Sequence, residues 1–170
     1  GDPHVKAARR QKQREMGRRR MMAAVGEATV VVTNPTHIAV ALKYEQGGGA
    51  PQVVAKGAGH LAERIRQEAE ANQVPMVRDV IVARMLFKLC EVDSYIPFEL
   101  YDAIAQVLAF VMPMSELRKS ERTHDSPLRH PGFNGTDLPE DLTDEALGIT
   151  AYATPDEEPA GAAAGAGRSA

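Results

Sequence analysis

The sequence contains little that could build an aromatic core or a covalent framework. It has no Trp, and aromatic residues make up only 5% of its 170 residues. Its one cysteine, Cys90, excludes an internal disulfide and is typical of a reducing compartment. Cys90 ends an apolar run over residues 85–90, so we expect a buried structural thiol. The core should therefore be aliphatic and of modest size.

The sequence also lacks the motifs of the common catalytic and membrane-spanning classes. No apolar run approaches the ~18 residues that a membrane span needs. The glycine-rich loop 46–51 lacks the Gly-Lys-Ser/Thr ending of a phosphate-binding loop, and no nucleophile elbow is present. A zinc site needs clustered ligands, but the chain has a single cysteine, and its histidines are scattered at positions 4, 37, 60, 124 and 130. We therefore predict no metal, no cofactor and no multi-turnover active site.

Charge divides the chain into three segments that differ in sign. Residues 1–25 carry eight Lys/Arg and two Asp/Glu, a net +6, whereas residues 26–112 carry seven and ten, a net −3. Residues 113–170 carry five and eleven, a net −6. Such sign changes mark physically different segments. We accordingly predict a basic linker over 1–25, a folded domain over 26–112 and an acidic tail over 113–170.

The basic segment is predicted to be a helix over residues 3–24. Its basic residues are good helix formers, but its few apolar residues make no continuous buried stripe. One interpretation is a solvated helix with frayed ends. Another is a juxtamembrane linker whose charges face anionic lipid headgroups. Nucleic acid is disfavoured as a partner because no aromatic residues interleave the basic ones.

The central segment predicts an α/β fold with a small sheet of roughly four strands packed by helices. The run 28–33 is β-branched without alternation, as in a strand buried on both faces, and 38–44 alternates. Further strands are predicted at 52–56 and 74–78. An amphipathic helix is predicted at 60–72, a mostly buried helix at 80–90 and a last helix from Pro97 to about residue 111. Arg84 and Lys88 are four residues apart, and we expect them on the solvent face of their helix.

From Pro113 onward the sequence predicts a disordered tail. Prolines recur at five positions between 127 and 159, and the end is rich in Ala and Gly. A segment of this composition buries too little apolar surface to fold independently. We expect at most transient helix around residues 138–147, and we expect the tail to be dispensable for stability.

The tetrapeptide Asn34-Pro35-Thr36-His37 connects two predicted strands and has two interpretations. The first is a simple turn, because proline fixes φ and asparagine tolerates turn geometry. The second is self-cleavage. Pro35 has no backbone N–H, so the usual attack of the next backbone nitrogen on the Asn34 side chain is closed. The reverse attack remains open: the side-chain nitrogen attacks the main-chain carbonyl of Asn34, a succinimide forms, and the proline nitrogen leaves.

Several segments together resemble one protein family. The chain is similar to the cytoplasmic domain of the export-switch family of type III secretion, which includes FlhB, YscU and SpaS. The resemblance extends to about Met112, roughly two thirds of the chain. The segments that carry it are Arg18-Arg19-Arg20-Met21-Met22-Ala23-Ala24-Val25, Val30-Val31-Val32-Thr33-Asn34-Pro35-Thr36-His37, Ala39-Val40-Ala41-Leu42-Lys43-Tyr44, Val53-Val54-Ala55-Lys56-Gly57 and Val74-Pro75-Met76-Val77.

The resemblance implies self-cleavage between Asn34 and Pro35 and control of which proteins are exported. Asn34 would be the nucleophile and Pro35 the leaving group, while Thr36 and His37 shape the turn and assist proton transfer. A histidine with only a structural hydrogen bond is an equal alternative for His37. Cleavage would be a single-turnover maturation step rather than multi-turnover catalysis.

The resemblance also implies a location and partners. Family members carry membrane spans before this point, so the chain is expected to be the excised soluble part of a protein of the bacterial inner membrane, on its cytoplasmic face. The implied partners are other export-gate components, export substrates and a hook- or needle-length control protein.

Two details qualify the resemblance. The run Ile81-Val82-Ala83-Arg84 stands where family members usually have Pro-Leu-Ala-Arg. Residues 19–25 and 41–44 look flagellar, whereas Ile38 replaces the tyrosine frequent in flagellar members. The open alternatives are an injectisome counterpart and a non-cleaving module that docks on anionic lipid or a partner.

Overall fold

A mixed five-stranded sheet forms the centre of the molecule. The computed structural model describes residues 1–121 and 123–149. The strands follow the order β3-β2-β1-β4-β5 across the sheet. β2 is antiparallel to β1 and β3, whereas β4 is parallel to β1 and β5. The strands are β1 (Val30–Asn34), β2 (Ile38–Lys43), β3 (Gln52–Ala58), β4 (Met76–Arg78) and β5 (His124–Asp125).

Helices cover both faces of this sheet and create two aliphatic cores. The helices are α1 (Pro3–Val25), α2 (His60–Ala71), α3 (Val80–Leu89), α4 (Tyr101–Val111) and α5 (Glu116–Glu121). Val30 and Val32 point into one core with α3 and α4, and Val31 points into the other with α2 and the end of α1. The α/β fold predicted from the sequence is confirmed.

The central strands are buried along their whole length. All five residues of β1 are buried, as expected for a strand covered on both faces. In β2, Ala39 and Ala41 are buried in the second core opposite Ile38, Val40 and Leu42. Each fully buried aliphatic side chain contributes about 1.5–3 kcal/mol. β1 and β2 therefore supply a large part of the stabilisation of the domain.

The turn between β3 and α2 depends on two glycines. A Cβ atom on Gly57 would lie 2.6 Å from Cγ of Leu61, so a larger residue would force the strand and helix apart. Gly59 has a φ of 60° and is the N-cap residue that precedes α2. Its N–H donates to the main-chain oxygen of His37 at 3.0 Å. This turn is thereby tied to the connection between β1 and β2.

Helix α3 is covered more completely than the sequence pattern indicated. Asp79 caps its first turn by accepting from the backbone N–H of Val82 at 3.0 Å. The prediction that Arg84 lies on a solvent face is wrong, because Arg84 is only 3% exposed. Lys88, one turn further, is partly exposed. Cys90, which follows α3, is buried as predicted.

The C-terminal segment covers Arg84, and this differs from the disorder expected from its composition. Residues 116–121 form α5, and β5 extends the sheet beyond β4. A 3-10 turn at Glu140–Leu142 follows, and Leu142 is 4% exposed. Leu147 and Ile149 are partly buried against the core that contains α3 and α4. The part of the predicted tail over 150–170, and Arg122, lie outside the described residues.

The basic segment forms one helix, as predicted, and makes few contacts. The first sixteen residues of the chain are all exposed, and only Met22 and Val25 of α1 are buried. Asp2 caps the helix by accepting from the backbone N–H of His4 at 2.9 Å. Within the described residues, no helix is both long enough and apolar enough to cross a membrane.

Candidate functional site

The residues Asn34-Pro35-Thr36-His37 form a tight turn between β1 and β2. The N–H of His37 donates to the main-chain oxygen of Asn34 at 2.9 Å, which is the bond that closes a β-turn. Thr36 occupies the third position with a φ of 67°. Proline at the second position with positive φ at the third is typical of a type II turn, where the third residue is normally Gly or Asn. A β-branched residue there costs on the order of 1–3 kcal/mol of strain.

The four residues differ in their access to solvent. Asn34 is buried at the end of β1, whereas Thr36 is exposed at the tip of the turn. Pro35 and His37 are partly buried. The bond between Asn34 and Pro35 therefore lies where the buried strand meets the surface. Its carbonyl group is held by the N–H of His37, and a peptide donor at a carbonyl oxygen stabilises negative charge that develops there.

The side chain of Asn34 is fixed by an arginine from α3. Nε of Arg84 donates to Oδ1 of Asn34 at 2.8 Å. Nη1 of the same guanidinium donates to the main-chain oxygen of Leu142 at 2.9 Å and to Oδ1 of Asp144 at 2.7 Å. The guanidinium is thus held between the amide of Asn34 on one side and the C-terminal segment on the other.

A second polar pair lies at the start of α3. Nε2 of His130 is 2.8 Å and 2.9 Å from the two carboxylate oxygens of Asp79. A carboxylate only accepts, so Nε2 carries the proton in this pair. The N–H of Asp79 donates to the main-chain oxygen of Thr33 at 2.9 Å. The residue before Asn34 is therefore also linked, through Asp79, to the C-terminal segment.

A shallow apolar groove lies apart from these polar groups. It has a volume of about 460 Å³, and aliphatic and aromatic side chains line it. Its walls come from the loop between β2 and β3 and from α4, and they include Ala50, Pro51, Ala105 and Leu108. This surface can accept small apolar side chains of another chain.

The described part of the chain shows no cluster of metal-ligating side chains. Among residues 1–121 and 123–149, no group of three or more His, Cys, Asp or Glu side chains is placed to hold a metal ion. Burial raises the pKa of the Cys90 thiol, with Lys56 acting in the opposite direction. Because the thiolate is the reactive form, Cys90 is poorly suited to act as a nucleophile.

The sequence predicted the turn at residues 34–37 but not the side chains that contact Asn34 and its neighbours. The four residues of the tetrapeptide come together where the sequence pattern located them. Arg84, Asp79, His130 and Asp144 were not identified as neighbours of Asn34. One signal was present for Arg84, which is the only charged residue in the otherwise apolar run 80–87. An arginine in such a run is seldom buried unless it is paired.

Comparisons with known proteins agree with one another. The model of the FlhB HrpN YscU SpaS family matches residues 1–111. The flagellar biosynthetic protein FlhB of Yersinia enterocolitica is 51% identical over 120 residues, which is 70% of this chain and 31% of that protein. FlhB of Escherichia coli is 50% identical over 119 residues, which is 69% of this chain and 31% of that protein. The chain thus spans about a third of the length of these relatives.

Solved structures show the same fold. The crystal structure of the cytoplasmic domain of FlhB from Shewanella putrefaciens has a TM-score of 0.62 at 36% identity, covering 74% of this chain and 98% of that one. A mutated EscU C-terminal domain has a TM-score of 0.53 at 29% identity, covering 56% of this chain and 96% of that one.

Proposed function

Because the chain belongs to the FlhB HrpN YscU SpaS family, we propose that it is the cytoplasmic domain of a flagellar type III export component and that it cuts itself between Asn34 and Pro35. The flagellar assignment is supported by relatives at about half identity that are named flagellar biosynthetic protein FlhB. The injectisome members of the family are the alternative. Cleavage is supported by the chemistry and geometry of the turn.

The observation that carries the cleavage proposal is the geometry of Asn34. Its side-chain oxygen is bound to Arg84 at 2.8 Å, and its main-chain oxygen accepts from the N–H of His37 at 2.9 Å. The nucleophile and the electrophile of a cyclisation thus belong to one residue. Its side-chain amide and its main-chain carbonyl group are each held by a hydrogen bond. Pro35 removes the competing backbone nitrogen. Solved EscU domains include asparagine-to-alanine and, at the next position, proline-to-alanine variants.

The reaction needs no cofactor. Nδ2 of Asn34 attacks the main-chain carbonyl carbon of Asn34 and forms the succinimide N–C bond. The C–N bond to Pro35 breaks, and the proton lost by Nδ2 reaches the proline nitrogen, which becomes a free amine. Water later opens the succinimide. Orientation of reacting groups contributes about 7–11 kcal/mol, and a rate increase of ~10⁴-fold requires about 5.5 kcal/mol.

Thr36 and His37 assist in different ways. Strain at Thr36 raises the energy of the uncut turn, and breaking the bond to Pro35 releases it. The N–H of His37 stabilises charge on the main-chain oxygen of Asn34. We assign the imidazole of His37 the role of proton relay. The turn acts once per molecule, so the protein is not a multi-turnover enzyme.

The two fragments should remain together after the cut. β1 ends at Asn34 and lies between β2 and β4, with which it forms ladders on both sides. Val30, Val31 and Val32 are fully buried. Each contributes about 1.5–3 kcal/mol to the association, and size-exclusion chromatography without denaturant should give one peak with both pieces.

We assign the cut a role in changing export specificity. It frees Thr36 and His37, creates an amine at Pro35 and leaves a new chain end at Asn34. The surface that a partner recognises therefore changes at one place while the domain stays folded.

The proposed location is the cytoplasmic face of the bacterial inner membrane, with α1 on anionic lipid. The proposed partners are other export-gate components, export substrates and the length-control protein, with the groove near Ala50 suited to an apolar segment of a substrate.

Intact-mass analysis of the purified protein tests the cleavage directly. Wild type should give fragments 1–34 and 35–170 under denaturing conditions, whereas Asn34→Ala should remain whole. Pro35→Ala should cleave slowly, because its N–H opens competing deamidation. A wild-type chain that stays intact for days at neutral pH contradicts the proposal and favours the non-cleaving binding module.

The switching role is tested in a bacterium that carries Asn34→Ala in the full-length protein. It should assemble the apparatus and export early cargo but not change to late cargo. Normal late-cargo export while residues 34 and 35 remain joined would make cleavage incidental.

A further inference from the structure

The C-terminal segment 140–149, which we call the clasp, binds α3 at the residue that contacts Asn34. It lies beyond the residues matched by the family model, which end at 111. Leu142 is buried, and Leu147 and Ile149 pack against the core beside α3. The clasp makes two ion pairs with α3, in addition to the hydrogen bond from Arg84 to the main-chain oxygen of Leu142. One is the Arg84–Asp144 pair at 2.7 Å, and the other is the Lys88–Asp141 pair at 3.0 Å.

These two pairs occupy different environments. The side chain of Arg84 is 3% exposed and donates to Asn34, whereas the side chain of Lys88 is 38% exposed and pairs with Asp141. A buried guanidinium requires compensation for the water it has lost. The clasp supplies it with one carboxylate and one peptide oxygen. These bonds leave Nε of Arg84 directed at Oδ1 of Asn34.

We propose that the clasp is a positioning element for self-cleavage: it holds Arg84 against the Asn34 amide, and Arg84 activates that amide for attack. This inference rests on the proposed self-cleavage. The role of Arg84 follows from amide chemistry. A neutral amide nitrogen is a weak nucleophile because its lone pair is delocalised onto the oxygen. When Nδ2 loses a proton, most of the negative charge is on Oδ1, where Arg84 donates its hydrogen bond.

The cyclisation consumes no other reactant, and water enters only when the succinimide later opens. Nδ2 gives up one proton as its bond to the main-chain carbon forms, and Arg84 stabilises the charge on Oδ1 until the ring closes. The C–N bond to Pro35 then breaks and the proline nitrogen takes up a proton. Arg84 ends the step as it began, protonated and bound to the clasp, so it is not consumed.

Direct contact with the reacting amide makes the effect of Arg84 large. Loss of one donor that stabilises developing charge slows a reaction by about 10²–10³-fold. We expect Arg84→Gln to slow cleavage by about 100-fold. Asp144 acts through Arg84, and we expect Asp144→Asn to slow cleavage roughly tenfold, because a small displacement of a catalytic group has effects of this order or larger.

Asp141→Asn is the matched control. It removes a carboxylate from the same segment and breaks the other ion pair with α3, but it leaves Arg84 and its partners unchanged. The four chains, each of 170 residues, are made by cell-free synthesis, and cleavage is followed by intact mass near neutral pH. The expected order of rates is wild type, with Asp141→Asn close to it because an exposed ion pair contributes little, then Asp144→Asn, then Arg84→Gln.

Arg84→Lys separates charge from packing. Arg84→Lys and Arg84→Gln should lower the melting temperature by similar amounts, since both lose the planar contacts. Only the lysine keeps a cation, so it should cleave faster than the glutamine variant. If Arg84→Gln does not fold, the inference is decided by Asp144→Asn against Asp141→Asn.

The outcomes that overturn the inference are distinct from failure of the proposed function. A wild-type chain that never cleaves overturns self-cleavage and the clasp together. A wild-type chain that cleaves, with Asp144→Asn and Arg84→Gln at the same rate, overturns the clasp alone. Equal slowing by Asp141→Asn and Asp144→Asn also overturns it, because the segment would then act only as general support.

Discussion

The two ends of the chain flank the same domain with opposite charge, and they relate to it in opposite ways. The N-terminal end carries a net +6 over residues 1–25, forms a regular helix and leaves its first sixteen residues exposed. The C-terminal end carries a net −6 over residues 113–170 and has little regular structure in its described part, yet it places Leu142 and Asp144 against α3.

The two ends show that a segment can form regular secondary structure with little packing on the domain, and can pack on the domain with little regular secondary structure. α1 forms because its residues are good helix formers and Asp2 caps it, neither of which requires a partner. The clasp docks because one buried leucine and two carboxylates meet complementary groups on α3. Helix content therefore says little about which end stabilises the domain. Three predictions test this division, beginning with the largest effect.

Neutralising part of α1 should abolish much of the proposed binding of α1 to anionic lipid without loss of stability. In the variant with Lys6, Arg9 and Arg10 all changed to Gln, helix propensity is kept. Each basic residue near an anionic surface contributes about 1 kcal/mol, so binding to anionic vesicles should weaken by about 100-fold. Vesicle sedimentation at two salt concentrations measures this, with neutral vesicles as the control.

The same triple variant should have the melting temperature of wild type, because all three side chains are exposed. Vesicle binding that does not weaken as the salt concentration rises would contradict an electrostatic role for α1. A marked fall in melting temperature would show that the start of α1 stabilises the domain.

Shortening the buried leucine of the clasp should destabilise the protein. Leu142→Ala removes a side chain that is 4% exposed, and Leu→Ala changes in cores cost about 2–5 kcal/mol. We expect about 2 kcal/mol, at the lower end of this range. Thermal unfolding measures the loss, and amide exchange over residues 140–149 should accelerate. Leu117→Ala is the control, because Leu117 is 75% exposed.

An unchanged melting temperature for Leu142→Ala would mean that the clasp is as peripheral as the start of α1. The expectation from composition alone, that everything after Pro113 is dispensable, would then hold.

The smallest expected effect is on the acid side of the pH range. The hydrogen bond from Lys88 lowers the pKa of Asp141, with desolvation acting in the opposite direction. A carboxyl group whose pKa is lowered by folding contributes stability above its ordinary pKa, and this is lost as pH falls through the lowered value. The contact should thus be intact at neutral pH and fail only in acid. NMR titration of the Asp141 carboxyl measures it, and Lys88→Gln should return the pKa toward its ordinary value.

The sequence was sufficient for features that depend on local pattern. The valine run predicted a strand buried on both faces, and the proline after Asn34 predicted the turn. The helices at 60–72 and 80–90 differ from α2 and α3 by one residue at their ends. Each of these depends on residues that are neighbours in the chain.

The groups around Asn34 could not be predicted in this way, because their partners are distant. Arg84 is 50 residues from Asn34 and 60 from Asp144. Periodicity places Arg84 and Lys88 on one face of α3, but it does not say what covers that face. The segment that covers it has one buried leucine within an acidic stretch, which is too sparse to predict packing from composition.

The position of β1 has a mechanical consequence. While the bond between Asn34 and Pro35 is whole, a pull on α1 passes through β1 into β2 along the covalent chain. Once the bond is cut, the same pull loads β1 alone, which is gripped by β2 on one side and β4 on the other. The load then lies along the strand, so the ladder bonds resist together in shear. A cut at this turn thus replaces a covalent tether by one that has a finite breaking force.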